Sequence, residues 1–266
     1  MLTDAEKQDA ADALLEAWST GTPCALLSKS WPAIDVTAAY DIQARVAAGR
    51  GVETVGYKIG LTNKAIQNMK GATEPSYGVM FADRRFHDGV HFDPDLFIAP
   101  RVEVELAFVM GADLSGPGCQ VHDVLVATEM LMPAFEIVDS RTEQPSTITD
   151  LISDNTVFGA IVTGGSPVRP FDVDPRWLGA TLARNGEIVD SGVTAAIMGH
   201  PAAAVAWLVN RLADTGGGLS KGDLVLSGSV IIPPPAHPGD VFTTDWGPLG
   251  SVSVRFDAQG RCIARK

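Results

Sequence analysis

Apolar positions early in the chain recur at helical spacing. Ala10, Leu14 and Trp18 share one face of a stretch over 3–18, with Thr3 placed to cap it and Glu6 completing a capping box. A second helix is expected over 36–48, opened by Asp35 or Thr37 and closed by Gly49 and Gly51. Residues 52–59 read as a short strand and 62–70 as a helix that stops at Gly71. From about residue 76 the pattern changes to β-like runs punctuated by Gly and Pro, over 101–109, 133–138, 157–163, 178–183, 223–227, 239–245 and 250–256. Asn185-Gly186 stands where a tight hairpin turn belongs. Helices over 121–131 and 201–213 interrupt the strands, the second opening at Pro201 and ending before Gly216. Strands and helices do not alternate regularly, so a doubly wound parallel sheet is not expected. The pattern predicts an α+β (mixed α/β) chain, with a smaller, helix-rich N-terminal part over 1–75 and a β-rich domain over 76–266.

Charge narrows the choice of function. The 266 residues include 32 acidic and 20 basic side chains, a net charge of −12. That balance lacks the basic footprint of a general nucleic-acid binder, yet a few cations can still hold an anionic small molecule. Cys24, Cys119 and Cys262 lie far apart, so neither a disulfide framework nor a cysteine zinc site is expected. No apolar run approaches the roughly 20 residues of a membrane helix. The acidic N-terminus carries no apolar signal core. The expectation is a cytoplasmic protein without membrane contact.

The segment Arg101-Val102-Glu103-Val104-Glu105-Leu106-Ala107-Phe108-Val109 carries the first chemistry. In a strand, Glu103 and Glu105 project to one face and Val102, Val104 and Leu106 to the other. Two adjacent carboxylates repel unless something positive lies between them, or unless the face is solvated. Glu136 sits among apolar neighbours in Pro133-Ala134-Phe135-Glu136-Ile137-Val138-Asp139. A lone buried charge is expensive, so it needs a partner. Arg101 or Arg141 could pair with it, or it could join Glu103 and Glu105 as a third oxygen ligand. Three carboxylates without nearby Cys or His suit a hard cation such as Mg²⁺ or Mn²⁺. Lys58, in Gly56-Tyr57-Lys58-Ile59-Gly60-Leu61, is a candidate for proton transfer or carboxylate binding if desolvated, or it snorkels from a strand edge. Asp154-Asn155 and Ser227-Gly228-Ser229 could serve a substrate or shape turns. The histidines His87, His91, His122, His200 and His237 form no metal set, and His200 before Pro201 suits a helix start. Gly216-Gly217-Gly218 lacks the ending of a phosphate loop.

An ordered set of motifs spans nearly the whole chain: Gly-Tyr-Lys-Ile-Gly-Leu-Thr at 56–62, Pro-Arg-Val-Glu-Val-Glu at 100–105, Pro-Ala-Phe-Glu-Ile-Val-Asp at 133–139 and Ile-Ser-Asp-Asn at 152–155, followed by Gly199-His200-Pro201, Ser227-Gly228-Ser229, Gly239-Asp240 and Leu249-Gly250-Ser251-Val252. The set resembles the 2-keto-4-pentenoate hydratase and 4-oxalocrotonate decarboxylase family, within the fumarylacetoacetate hydrolase superfamily. The resemblance implies a mixed α/β fold with a strongly curved β-rich core, the region 76–266 being the catalytic domain. It implies a metal, Mg²⁺ or alternatively Mn²⁺, at Glu103, Glu105 and Glu136. It also implies Lys58 as a catalytic residue, with Lys58, Leu61 and Ser229 touching substrate. Asp83, in Phe81-Ala82-Asp83, is added as a polar catalytic partner, its other reading being a surface-loop aspartate. The implied substrates are 2-hydroxy-2,4-dienoates or their 2-oxo tautomers from meta-cleavage of aromatic compounds. The implied state is a homo-oligomer, with a complex with another pathway enzyme as a further expectation.

The same platform serves hydration and decarboxylation. Ser227-Gly228-Ser229-Val230 and the stretch 245–251 are similar to 2-oxohept-3-ene-1,7-dioate hydratases, which favours hydration. Decarboxylation of 4-oxalocrotonate is the alternative, and a noncatalytic subunit of the same fold is another. Carbon–carbon hydrolysis ranks below decarboxylation, because the superfamily's hydrolases carry a His and an acidic residue on a short lid before the metal strand, whereas 61–75 holds Glu74 but no His. The stretch 230–235 is more apolar than the resemblance leads one to expect, and Arg84, Arg85 and Arg141 are candidates for a second substrate carboxylate.

Overall fold

A computed structural model gives the architecture and describes residues 1–258. Helix α1 (Asp4–Thr20) opens with the expected capping box: Glu6 N donates to Thr3 Oγ1, and Thr3 N donates to Glu6 Oε2. Ala10, Ala11 and Leu14 of α1 pack on Ile42 and Val46 of α3 (Val36–Arg50), beside the short α2 (Leu27–Ser30). Strand β1 (Thr54–Gly60), α4 (Lys64–Lys70), β2 (Ser76–Phe81), β3 (Arg85–His87) and β4 (Val90–Phe92) follow. The chain continues through β5 (Arg101–Met110), β6 (Leu114–Ser115), α5 (Val121–Ala127), β7 (Thr128–Val138), α6 (Ile148–Ser153) and β8 (Phe158–Thr163). It closes with β9 (Gly179–Arg184), β10 (Glu187–Val193), α7 (Pro201–Ala213), β11 (Gly218–Leu219), β12 (Leu224–Ser229), β13 (Val241–Asp245) and β14 (Ser251–Phe256).

Seven strands form the main sheet in the order β2-β1-β12-β5-β7-β8-β3, and five form a second in the order β10-β9-β13-β14-β4. In the main sheet only β1–β12 and β3–β8 are parallel pairs. The two faces of β5 have different fates, as its alternation predicts. Val102, Val104, Leu106 and Phe108 enter the main core with Val205, Leu208 and Val209 of α7 and with Phe242, Val252 and Val254 of the second sheet. The opposite face supplies Ala107 to a second cluster with Ala134, Leu224, Leu226, Met80 and Ile161. That cluster requires curvature. Strands spaced about 4.8 Å apart would leave β2 and β8 about 24 Å apart in a flat sheet. Yet the rings of Phe81 on β2 and Phe158 on β8 have centroids 6.2 Å apart. The sheet therefore curls around its small inward residues, which is the curved β-rich core expected.

Several boundaries differ from expectation. The helix expected over 121–131 stops at Ala127, where Thr128 Oγ1 donates back to Val124 O. Residues 128–131 instead extend β7, with Met130 opposite Val109 and Leu131 opposite Phe108, because the long β5 offers a ladder there. The helix expected from 62 begins at Lys64. Strands β2, β3 and β4 and helix α6 were not expected. The Asn185-Gly186 turn is present, with φ of 55° and 88°, between β9 and β10. His200 caps α7, accepting from Ala202 N. Cys24 and Cys119 are free, and Cys262 lies outside the described residues. No helix among the described residues is long and apolar enough to cross a membrane.

One buried clamp shapes the approach to β8. Arg141 donates from Nε and from its backbone N to the Asp154 carboxylate, at 2.5 and 2.8 Å, and from its other nitrogens to the carbonyls of Asp154 and Phe158. Between those carbonyls, Asn155, Thr156 and Val157 all adopt left-handed backbone, with φ of 51°, 49° and 54°. Such a conformation costs about 1–2 kcal/mol per non-glycine residue, so contacts must hold it. Asn155 bonds Val79 N and O through its amide, and Thr156 Oγ1 donates to Tyr77 O. Arg141→Ala should lower stability by about 3–5 kcal/mol in urea unfolding, because it strands a buried carboxylate and releases the turn. A loss under about 1 kcal/mol, the scale of a surface pair, would contradict the clamp.

Candidate active site

Strand register builds the carboxylate cluster. Glu103 lies directly opposite Glu136 across β5 and β7, and Glu105 follows two residues on, opposite Ser229 of β12. One carboxylate oxygen from each glutamate lies within 4.8 Å of the other two. Glu105 and Glu136 have 0% exposure, and Glu103 is half-buried. Lys58 is 2% exposed; its Nζ donates to Thr156 O at 2.8 Å and lies 3.0 Å from Glu136 Oε1. In the sheet order β1 stands three strands from β7, about 14 Å in a flat sheet. The curl of the sheet closes that distance.

The charges do not balance. Burial, then the charges of Glu136 and Glu103, hold the Glu105 carboxyl well above its ordinary range, with Lys58 and the Gly228 N–H offsetting only part. Burial pushes Glu136 up to about 7, against the pull of Lys58 and with a further push from Glu103. For Lys58, burial acts downward but the carboxylates of Glu136, Glu103 and Glu105 outweigh it, so the ammonium form is favoured. A lowered lysine pKa, weighed as one outcome of desolvation, is thus reversed by its three acidic neighbours. Glu105 Oε1 and Glu136 Oε2 are buried without a hydrogen-bond partner. Buried carboxylate oxygens are seldom left so. Convergent, unpaired, hard oxygen donors fit a divalent cation such as Mg²⁺ or Mn²⁺.

The surrounding backbone is fitted to this cluster. Gly228 N donates to Glu105 Oε2 at 2.7 Å. Its φ is 116°, and a β-carbon there would overlap Thr62 Oγ1, so the position needs glycine. Ser229 Oγ accepts from Val104 N and Ile231 N and donates to Ile231 O, so it ties β12 to β5 beside Glu105. Leu61 follows β1 with a left-handed φ of 58°, and its carbonyl accepts from Gln67 Nε2.

Other expected residues go elsewhere. Asp83 does not join the cluster: it is exposed and pairs with Arg50 at 2.5 Å. It lies beyond Phe81, which is opposite Thr54, whereas Lys58 is opposite Gly78. Four strand residues separate those levels by about 13 Å. Glu136 pairs with Lys58 rather than with Arg101 or Arg141, since Arg141 is committed to Asp154. Arg84 donates to Leu96 O and Arg85 is exposed on β3, so neither shows a contact with the cluster. Asp154 and Asn155 serve the backbone turn, not the open site. Sequence reasoning missed the carbonyl of Thr156. Asn155, a residue tolerant of left-handed backbone, was the one local sign of that turn.

Comparisons with known proteins place the chain in a family. Residues 90–257 match the family model described as fumarylacetoacetate (FAA) hydrolase, C-terminal. The chain is 42% identical over 242 residues to a 2-oxo-hept-4-ene-1,7-dioate hydratase from Escherichia coli, covering 86% of this chain and 90% of the relative. It is 36% identical over 263 residues to a 2-keto-4-pentenoate hydratase from Paraburkholderia xenovorans, covering 97% of each. The solved structure of 4-oxalocrotonate decarboxylase from Pseudomonas putida G7, complexed with magnesium and adipate, matches with a TM-score of 0.93 at 33% identity, over 96% of this chain and 99% of that one. By its motifs, its curled sheet and these matches, the chain belongs to the fumarylacetoacetate hydrolase family.

Proposed function

We propose that this chain is a metal-dependent hydratase that adds water to 2-hydroxy-2,4-dienoates or their 2-oxo-3-enoate tautomers. The proposed substrate is 2-oxohept-3-ene-1,7-dioate or a related meta-cleavage product of aromatic catabolism. The observation that carries the reading is the triad of Glu103, Glu105 and Glu136, with unpaired oxygens on the two that are fully buried, set against Lys58. These three glutamates would hold Mg²⁺, with Mn²⁺ as the other hard cation suited to them. A divalent cation bound there supplies Lewis-acid stabilisation of enolate charge on a 2-oxo acid. Hydration is favoured over decarboxylation by the activity of the 42% identical relative and by the segments 227–230 and 245–251.

The reaction needs a proton delivered to C5 as the dienol loses its O–H proton, then water added at C4, removal of that water's proton, and a proton delivered to C3 of the resulting enolate. Lys58 is the buried side chain beside the cluster with exchangeable protons, and Thr156 O fixes its direction. Neutralising the carboxylates would remove the charges that hold its pKa up and leave burial, which acts downward. In this reading Leu61, at the end of β1, and Ser229, beside Glu105, border the substrate. Self-association into a homo-oligomer is part of the same reading.

Product mass tests the function. Purified protein with Mg²⁺ and 2-hydroxyhepta-2,4-diene-1,7-dioate should give the mass of substrate plus one water. EDTA or Glu136→Gln should abolish the conversion, the variant remaining folded. Loss of CO₂ would place the chain with the decarboxylases, and no conversion of any dienoate would contradict the hydratase reading.

The pH dependence of metal stabilisation has a defined sign. Glu136, raised from 4.5 to about 7, takes up a proton on folding within that window. The metal-free protein therefore gains stability from this group as pH falls through the window, whereas metal binding needs the deprotonated carboxylates. The rise in Tm produced by Mg²⁺ should be largest above pH 7 and shrink towards pH 5. A rise independent of pH across that range would count against Glu136 as a ligand.

A further inference from the structure

We propose that the hydroxyl of Ser76 binds an oxygen of the reacting pair, either a substrate oxygen or the water added to it, together with Lys58. The proposal rests on the hydratase reading. Ser76 opens β2 directly opposite Gly60, and Lys58 lies opposite Gly78 one step along the same face. All four positions therefore line the inside of the curl. Ser76 is fully buried, and its Oγ has no hydrogen-bond partner. The hydroxyls of Ser153 and Thr244 are also unpaired; that of Ser76 shares with the Lys58 ammonium the surroundings of Gly60. A β-carbon added at Gly60 would stand 3.1 Å from Ser76 Oγ, 3.8 Å from Lys58 Nζ and 2.7 Å from Thr156 Cγ2. Glycine at 60 thus lets the hydroxyl and the ammonium converge on one point, which any side chain at 60 would crowd.

The donors match such a guest. Thr156 O and Glu136 occupy at most two of the three N–H donors of Lys58. A serine hydroxyl both donates and accepts, so it can orient a water or donate to a carboxylate or enolate oxygen. An empty-handed buried hydroxyl is unfavourable in the free protein, and a ligand oxygen would satisfy it. Ser76 follows Thr73-Glu74-Pro75, a stretch whose sequence pattern gave no hint of this role.

Ser76→Ala separates this role from a structural one. The change deletes an unpaired buried group, so the thermal midpoint should stay level or rise. kcat and KM are measured with the dienoate in Mg²⁺, and the Kd of the unreactive 2-oxopentanoate is measured by calorimetry, for wild type and variant. The expected result is a fall in kcat/KM of about tenfold or more, as for loss of a hydrogen bond to a charged or reacting oxygen. A fall confined to kcat, with Kd unchanged, assigns the oxygen to the added water. A weakened Kd in step with KM assigns it to the substrate. Unchanged kcat, KM and Kd overturn the proposal, and so does a lowered thermal midpoint, which would show that the hydroxyl has a structural partner. Wild-type protein that binds 2-oxopentanoate but converts no dienoate would refute the hydratase reading alone; a weaker Kd in Ser76→Ala would then still support a substrate contact, and an unchanged Kd would overturn the proposal.

Discussion

Three carboxylates held around one point, two of them fully out of water, and facing a single ammonium, set the terms for the rest of this molecule. Two unit charges 4.8 Å apart repel by on the order of 3 kcal/mol at an effective dielectric of about 20. Each glutamate adds such a cost to that of its own burial, and Lys58 offsets only part of it. The backbone makes the grouping unavoidable. Once β5 pairs with β7 in the observed register, Glu103 and Glu136 are opposite each other and Glu105 shares their face. A one-residue slip would send all of β5's carboxylates into the main core, so the apolar face that buries Val102, Val104 and Leu106 also enforces the charged one.

The curl of the main sheet turns this local grouping into a site. Small inward residues, Ala107 and Ala134 among them, let β2 and β8 approach across the inside. The apolar end of the curl is filled by Met80, Phe81, Phe158 and Leu226, while Lys58 and the three glutamates share its inner face. The left-handed turn at 155–157 is the strained part, and Arg141, Asn155 and Thr156 hold it through buried hydrogen bonds. What that strain secures is a carbonyl aimed at Lys58 Nζ, which is the pattern of strain kept where function needs direction.

Much of this was legible before any coordinates, and the limits have physical causes. Alternation alone put Glu103 and Glu105 on one face, because side-chain period in a strand is a local property. The partnership of Glu136 came from its apolar neighbourhood and the family resemblance, since cross-strand register is set by residues far apart in the chain. The end of α5 was misplaced because Leu125 to Met132 is apolar enough for either helix or strand, and the ladder offered by β5 decides it. Asp83 was open to two readings, a polar partner of the site or a surface-loop aspartate, and strand register places it well past Lys58. Thr156 and Ser76 were invisible. A threonine carbonyl in left-handed backbone contradicts its own propensity, and the lack of a partner for a buried hydroxyl is a property of the folded neighbourhood.

The central claim is that the register of β5 and β7 assembles a cation site beside Lys58. Anomalous diffraction from crystals soaked in Mn²⁺, recorded at the manganese edge, tests it most directly. The account predicts one strong peak bonded to oxygens of Glu103, Glu105 and Glu136, with Lys58 Nζ still on the carbonyl of Thr156. A peak bonded to other residues, or no peak between these glutamates, would contradict it.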